Sequence, residues 1–427
     1  MRLTNIAQLP LPTGSVHSYD VSVAPHADRP LPVSFDQGRH VGAGDRPGSW
    51  MAISLRMPGA EPARLAAAWR RVLDRHHTLR TVFSRTSAGE VRLHEAEIGP
   101  GVWRRHPVAP GRTGAQVVRE VFDTHCRPFT EPSHRLCLVI PDADAADPRP
   151  VVIVGSDHAH VDMWSLLVLA RDLSAALGGD TLAEPVAGFD EHTALLAAAP
   201  AAPAAVQEAW HRVLDAEGGV MPRFPLPLGD VSAPRPEVVE VRDVLDADGV
   251  RRLGAHADAA GVRVTALALS VLTRVTRELA GAPLRAVFPV HSRNEQRWHD
   301  AVGWFITNAV IECDDPAPRA CAAALKQALI LGSHPLAPIL APYGGMPQAP
   351  GMFAVSWLDL RRLPVAAPPA SDPYWVSAVI ETDGVMVWFV VDDSGMHLRC
   401  RYPDTPEARA SLSRWLDAVG AGLAGAA

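Results

Sequence analysis

Apolar residues fall at helical spacing in EPARLAAAWRRVLDRHH (61–77), which places Leu65, Ala68, Trp69, Val72 and Leu73 on one face. Glu61-Pro62 supplies a first-turn start, so the segment predicts an amphipathic helix. The next run, TLRTVFSR (78–85), is β-branched and aromatic and predicts a strand. RPVVIVGSD (149–157) is a continuous apolar run of strand length, and SLLVLARDLSAAL (165–177) returns to helical spacing. Between them lies HAHVD (158–162), in a turn that joins a buried strand to a helix. Such a turn can hold a reactive side chain rigidly.

The second half repeats this mixture. AAAPAAPAAV (197–206) reads as a connector, and helices are predicted at about 206–217, 247–260 and 264–280. APLRAVFPVHSR (282–293) and VGWFITNAVIEC (302–313) read as strands, followed by a helix at about 318–332 and the strand GMFAVSWLDL (351–360). YWVSAVIET (374–382), VMVWFVVDD (385–393) and MHLRCRYP (396–403) are three strand-like runs separated by Asp-Gly and Ser-Gly turns. A helix from Glu407 to Leu423 closes the chain. No short-period repeat is present. The pattern predicts two α/β domains of similar size, 1–196 and 207–427, joined by the Ala/Pro stretch 197–206.

A chain of 427 residues is too long for one ordinary core, which agrees with two domains. The formal charge of −7, without a basic run, gives no footprint for nucleic acid or an anionic membrane. The basic residues are 39 arginines and one lysine, Lys326, which sits in mid-helix, so Schiff-base and pyridoxal phosphate chemistry are not expected. Five scattered cysteines (Cys126, Cys137, Cys313, Cys321, Cys400) without a CxxC fit a reduced, cytoplasmic protein. The first residues carry no apolar signal region, and the longest apolar stretch, VTALALSVLTRV (264–275), is too short to span a bilayer and holds an arginine.

HAHVD admits two chemistries. His158, His160 and Asp162 have the spacing of half a binuclear metal site, as in HxHxDH of the metallo-β-lactamase superfamily. The sixth position is Met163, whose thioether is a poor zinc ligand, and about 150 residues of helix–strand alternation precede the motif. A metallohydrolase is therefore the remote reading. RHHTLR does not add ligands, because neighbouring helical residues such as His76 and His77 point about 100° apart.

The other reading rests on four segments in order. Asp157-His158-Ala159-His160-Val161-Asp162-Met163-Trp164-Ser165 resembles the HHxxxDG motif, often continued by Trp-Ser, of the condensation-domain superfamily of coenzyme-A- and carrier-dependent acyltransferases. Ser34 and Gln37 resemble its opening S-x-x-Q. Arg75, His76, Leu79, Arg80, Thr81 and Phe83 resemble its RHxxLRTxF. Pro289, Arg293, Gly303, Phe305 and Asn308 resemble its P-x-x-x-R … G-x-F-x-N region, and the tail is similar to the polyketide-associated acyltransferase branch. The resemblance runs from about residue 31 to the end. It implies an α/β fold of two chloramphenicol-acetyltransferase-like subdomains forming a V-shaped pseudo-dimer with a central tunnel.

The resemblance also implies transfer of an acyl group from a thioester to an alcohol or amine, in secondary-metabolite (nonribosomal peptide or polyketide) or lipid biosynthesis. His158 would be the catalytic histidine, with Asp162 structural and paired to Arg293. Asp157 replaces the motif's first histidine and is expected, with Met163, to line the tunnel or bind substrate. Met163 replaces its glycine, and methionine disfavours any positive φ that the turn requires there. Trp164 and Trp304 are expected as channel walls or core, and Asn308 and Ser356 as polar tunnel-lining groups. No metal and no bound cofactor are expected. No adenylation-like region or carrier arm is visible, so the donor would arrive in trans on a carrier protein's phosphopantetheine or on coenzyme A, to meet a small-molecule nucleophile. A non-catalytic recruitment module of the same fold is the alternative, favoured if Met163 closes the channel.

Overall fold

The apolar run at 151–157 forms a strand with all seven residues buried, as befits a strand covered on both faces. A computed structural model of the chain describes residues 1–183 and 186–427, with the backbone alone at 25–29. In its first half the strands are β1 Arg2–Asn5, β2 Gly14–Leu31, β3 Trp50–Arg56, β4 Thr81–Arg85, β5 Val91–His106, β6 His134–Pro141 and β7 Val151–Asp157. The helices there are α1 Phe35–Gly42, α2 Pro62–Arg75, α3 Gly114–His125, α4 Met163–Gly178 and α5 Phe189–Ala197. In the second half come β8 Arg235–Asp246, β9 Leu284–His291, β10 Ile306–Cys313, β11 Phe353–Asp359, β12 Tyr374–Ser377, β13 Glu381–Thr382, β14 Val385–Asp392 and β15 Gly395–Pro403. Its helices are α6 Ala204–Ala216, α7 Ala247–Ala259, α8 Val264–Ala280, α9 Pro318–Leu331, α10 Leu336–Leu340 and α11 Pro406–Ala426.

The chain divides into two compact units. The first holds residues 1–198, 293–305 and 364–379, around an eight-stranded sheet of order β1-β12-β3-β7-β6-β2-β5-β4. The second holds 199–292, 306–363 and 380–427, around a seven-stranded sheet of order β10-β9-β11-β14-β15-β8-β13. A single cut at 197–206 therefore does not describe the division, because 293–305 and 364–379 pack with the N-terminal unit. The Ala/Pro stretch itself already begins a helix, α6, at Ala204.

Most predicted elements are present, with two differences. TLRTVFSR opens with a 3-10 turn, His77–Arg80, before β4 begins. YWVSAVIET is two strands rather than one. β12 joins the first unit's sheet, parallel to β1 and antiparallel to β3, with Trp375 fully buried, whereas β13 pairs with β8 in the second unit. Local alternation marks such residues as strand but carries no information about the partner edge. Among the described residues no single helix is long and apolar enough to cross a membrane, and all five cysteines are buried thiols.

Two histidines are built into the first unit's core. His134 donates from Nε2 to the Leu79 carbonyl at 3.1 Å, and burial, reinforced by the Arg135 charge, pushes its pKa down to about 3. His160 is likewise lowered by burial, to about 4. Both folded values lie below the unfolded value of about 6.5, so the unfolded chain binds more protons between them. Their stabilising contribution is complete above about pH 6.5 and is lost as pH falls toward about 4. Urea unfolding midpoints measured across this range should fall with pH, and His134→Gln should make the slope shallower. A midpoint that does not change with pH contradicts the assignment.

Candidate active site

The site is built at the junction of β7 and α4. β7 ends on Asp157, residues 158–160 form one 3-10 turn, and Asp162 is the N-cap of α4 with φ −123°. The Asp162 carboxylate accepts from the Ser165 N–H at 2.7 Å and from the Phe305 N–H at 3.0 Å. Arg293 completes its shell through two bonds, Nη1 to Oδ2 at 2.6 Å and Nη2 to Oδ1 at 3.1 Å. Both side chains are buried, at 0% and 1% exposure, so neither charge has water as an alternative partner. Desolvation pushes the Asp162 carboxyl up, but Arg293 and the Ser165 hydrogen bonds outweigh it and hold the group below the usual carboxylate range.

This pair draws segment 293–305 onto α4. Arg293 Nη2 also donates to Ser165 Oγ at 2.7 Å and to the Ala301 carbonyl at 3.2 Å, while its guanidinium lies 4.0 Å from the Phe305 ring centroid and 5.1 Å from that of Trp164. Trp164 donates from Nε1 to the His299 carbonyl at 3.0 Å. Ser165 Oγ both donates to the Gly303 carbonyl and accepts from its N–H. Gly303 has to be glycine, since a Cβ there would lie 2.5 Å from the Phe189 side chain. The Arg75–His76 motif anchors the same segment: Arg75 and His76 both reach Asp172 on α4, at 3.0 and 2.8 Å, and Thr78 donates to the Val302 carbonyl at 2.6 Å. His77 turns instead to Asp190, so the two adjacent histidines do separate structural work.

His158 and His160 share a turn and have opposite surroundings. His160 is buried, with Nδ1 at 3.0 Å from Ser133 Oγ and Nε2 donating to the Thr81 carbonyl at 3.1 Å. Both of its ring nitrogens are engaged, so it offers no lone pair to a metal, and the HxHxD reading loses its central ligand. His158 is only partly buried. Its Nδ1 is enclosed and has no hydrogen-bond partner among the described residues. Nε2 is the nitrogen left for an incoming group. The ring stacks on Trp304 with centroids 4.1 Å apart and planes 24° apart, and Trp304 rests on a cluster of Val41, Phe83, Leu93 and Ala159. Burial lowers the His158 pKa, with His40 acting in the same direction, which favours the neutral, proton-accepting imidazole.

Met163 is the first helical residue of α4, and among the described residues the non-glycine positions with positive φ are Ala370 and Asp372. The position therefore demands no left-handed backbone, and the expected penalty for replacing glycine is absent. Met163 is partly exposed, and its carbonyl accepts from Trp375 Nε1 at 3.0 Å. Asp157, His158, Asp162, Met163, Trp164, Arg293 and Trp304 all belong to the first unit. Asn308 on β10 and Ser356 on β11, both partly buried, belong to the second.

The sequence motifs did not mark His40, Ser49 or Arg46, which surround Asp157. His40 Nε2 lies 3.2 Å from the Asp157 carboxylate, and Arg46 donates to His40 Nδ1 at 3.1 Å. A signal did exist: Ser34 and Gln37 form a capping box that starts α1, and Gln37 donates to the Ala159 carbonyl at 2.8 Å. His40 is three residues on, hence on the same helix face.

Because Asp162 and Arg293 neutralise each other in a buried setting, removing one leaves the other uncompensated. Arg293→Met should lower unfolding stability by about 3–5 kcal/mol. Asp162→Leu made together with it should recover part of that loss in denaturant titrations. A single variant within about 0.5 kcal/mol of the wild type contradicts the buried-pair description.

No family model matches the chain. Acyltransferase PapA3 of Mycobacterium tuberculosis is 24% identical over 440 residues, which cover 95% of this chain and 90% of that protein. The solved structure of PapA2 acyl transferase matches over 100% of this chain and 99% of its own, with a TM-score of 0.86 at 21% identity. The first condensation domain of the calcium-dependent antibiotic synthetase matches 93% of this chain and 96% of its own, with a TM-score of 0.71 at 14% identity. At these identities the structural likeness establishes the two-sheet fold. The chain thus shares its fold with PapA2 acyl transferase and with condensation domains, and it is similar over nearly its full length to acyltransferase PapA3.

Proposed function

We propose that this condensation-type acyltransferase moves an acyl group from a thioester to the hydroxyl or amine of a second substrate, with His158 Nε2 as general base. One observation carries the reading: the imidazole has Nδ1 enclosed and Nε2 left open, on a turn clamped from behind by Asp162 and Arg293. That is the arrangement a base needs, with one nitrogen buried and the other open to an incoming group.

The acceptor's oxygen or nitrogen attacks the thioester carbonyl while Nε2 takes its proton. Collapse of the tetrahedral adduct breaks the carbon–sulfur bond, and the imidazolium returns the proton to the departing thiolate, so ester or amide and free thiol form without a net proton change. Stacking on Trp304 holds the ring plane through both transfers. Asp162 and Arg293 support the turn and take no part in proton transfer. The donor is an acyl or peptidyl group on the phosphopantetheine of a carrier protein, or on coenzyme A. The product is of lipid or secondary-metabolite type.

The ordinary helical backbone at Met163 and the partly exposed base favour catalysis over the recruitment-only alternative. The test is thiol release from acyl-coenzyme A and acyl-carrier thioesters, each with mixed alcohol and amine acceptors. Release should require acceptor, be unaffected by chelator, and drop about 100- to 10,000-fold in His158→Ala. Chelator-sensitive hydrolysis without acceptor, or a His158→Ala variant as fast as wild type, overturns the reading.

A further inference from the structure

His40 lies outside every motif read from the sequence, yet it reaches the turn that carries His158 in three ways. Its Nε2 is 3.2 Å from the Asp157 carboxylate. Its ring meets Trp304 edge-on at 5.2 Å, on the indole whose face carries His158. The His40 and His158 centroids are 6.2 Å apart. Because guanidinium groups only donate, the Arg46 contact at 3.1 Å makes His40 Nδ1 an acceptor. Its proton is thereby placed on Nε2, directed at Asp157.

Asp157 stands where the superfamily pattern has its first histidine, and it is fully buried. Its carboxylate caps the 3-10 turn by accepting from the Ala159 N–H at 2.9 Å. Desolvation works against its charge, but hydrogen bonds from His40, Ser49 and Ala159 outweigh it and hold its pKa low. A buried carboxylate beside the base is an electrostatic hazard. Unless its charge is absorbed elsewhere, it stabilises the imidazolium of His158 and turns a base into a resting acid.

We propose that His40 is a positioning residue for acyl transfer: it holds the Asp157 carboxylate and flanks Trp304, so that His158 stays oriented and available as a base. The inference rests on the reading of His158 given above. Other charged groups around the turn are already committed. Asp162 is neutralised by Arg293, and His160 is bonded to Ser133 and Thr81. Arg39 and Asp45 flank Arg46, and Arg39 lies 3.7 Å from Asp36 on the same helix. Asp157 is thus the carboxylate near His158 whose compensation comes chiefly from His40, with Ser49 and the Ala159 N–H beside it. The directions agree: on His158, Asp157 acts to raise the pKa and His40 to lower it, so removing His40 shifts both influences the same way.

The experiment is the pH dependence of kcat/KM for wild type, His40→Leu, His40→Gln and the double variant His40→Leu with Asp157→Asn, with thermal unfolding measured on each. In His40→Leu the acid limb should move to higher pH by about one unit, a roughly tenfold loss on the limb that is recovered at alkaline pH. Glutamine can accept from Arg46 and donate to Asp157, so His40→Gln should keep the limb near its wild-type position. The double variant, lacking the carboxylate charge, should bring the limb back. A uniform loss in His40→Leu with the limb unmoved, or a shifted limb that Asp157→Asn does not restore, overturns the proposal. The two readings fail separately. Full activity in His158→Ala removes the base itself, whereas an inactive His158→Ala beside an unshifted His40→Leu removes only the role given to His40.

Discussion

Asp162 and Arg293 are 131 residues apart in sequence and meet with both charges out of water. A buried pair of this kind contributes little net stability compared with apolar packing, but breaking it is expensive, and that asymmetry makes it a constraint. Asp162 is also the N-cap of α4, so the helix start, the turn before it and the returning segment 293–305 are fixed by one carboxylate. Nearly every other feature of the site follows. Gly303 must approach Phe189, Ser165 can bridge to the Gly303 backbone, and Trp304 is delivered to the face of His158.

Within that frame, the two histidines of one short motif acquire different chemistry from their surroundings alone. His160 spends both nitrogens on Ser133 and Thr81 in an enclosed pocket beside Phe83. His158, two residues earlier, keeps one nitrogen inward and one open. Residue type does not decide between ligand, core group and base. The number of ring nitrogens left unbonded does. The same logic explains how an aspartate can occupy the position before His158: a histidine and an arginine from α1 and the loop after it surround the carboxylate.

Much of this was legible in the sequence because it is local. The amphipathic run at 61–77, the buried strand at 151–157 and the following helix are set by periodicities that do not depend on distant partners. The resemblance implied Asp162 and Arg293 as partners, and the two side chains form an ion pair at 2.6 Å. What was not legible is long-range or conformational. The residues of β12 look like part of one C-terminal strand, and nothing in their alternation says that Trp375 belongs between β1 and β3. Met163 suggested backbone strain only because a glycine is usual there, and the helix in fact begins at that residue with ordinary geometry. His40 escaped notice because its importance arises from Asp157, more than a hundred residues away, although its spacing from Gln37 on one helix face was available.

The chemistry assigned to His158 depends on which of its ring nitrogens is free. The most direct measurement is the 15N spectrum of histidine-labelled protein across pH, with the His158 ring assigned by its absence in His158→Ala. The ring should be neutral at neutral pH, carry its proton on Nδ1 and titrate below the ordinary histidine value. A proton found on Nε2, or a ring that stays charged above neutrality, contradicts that assignment.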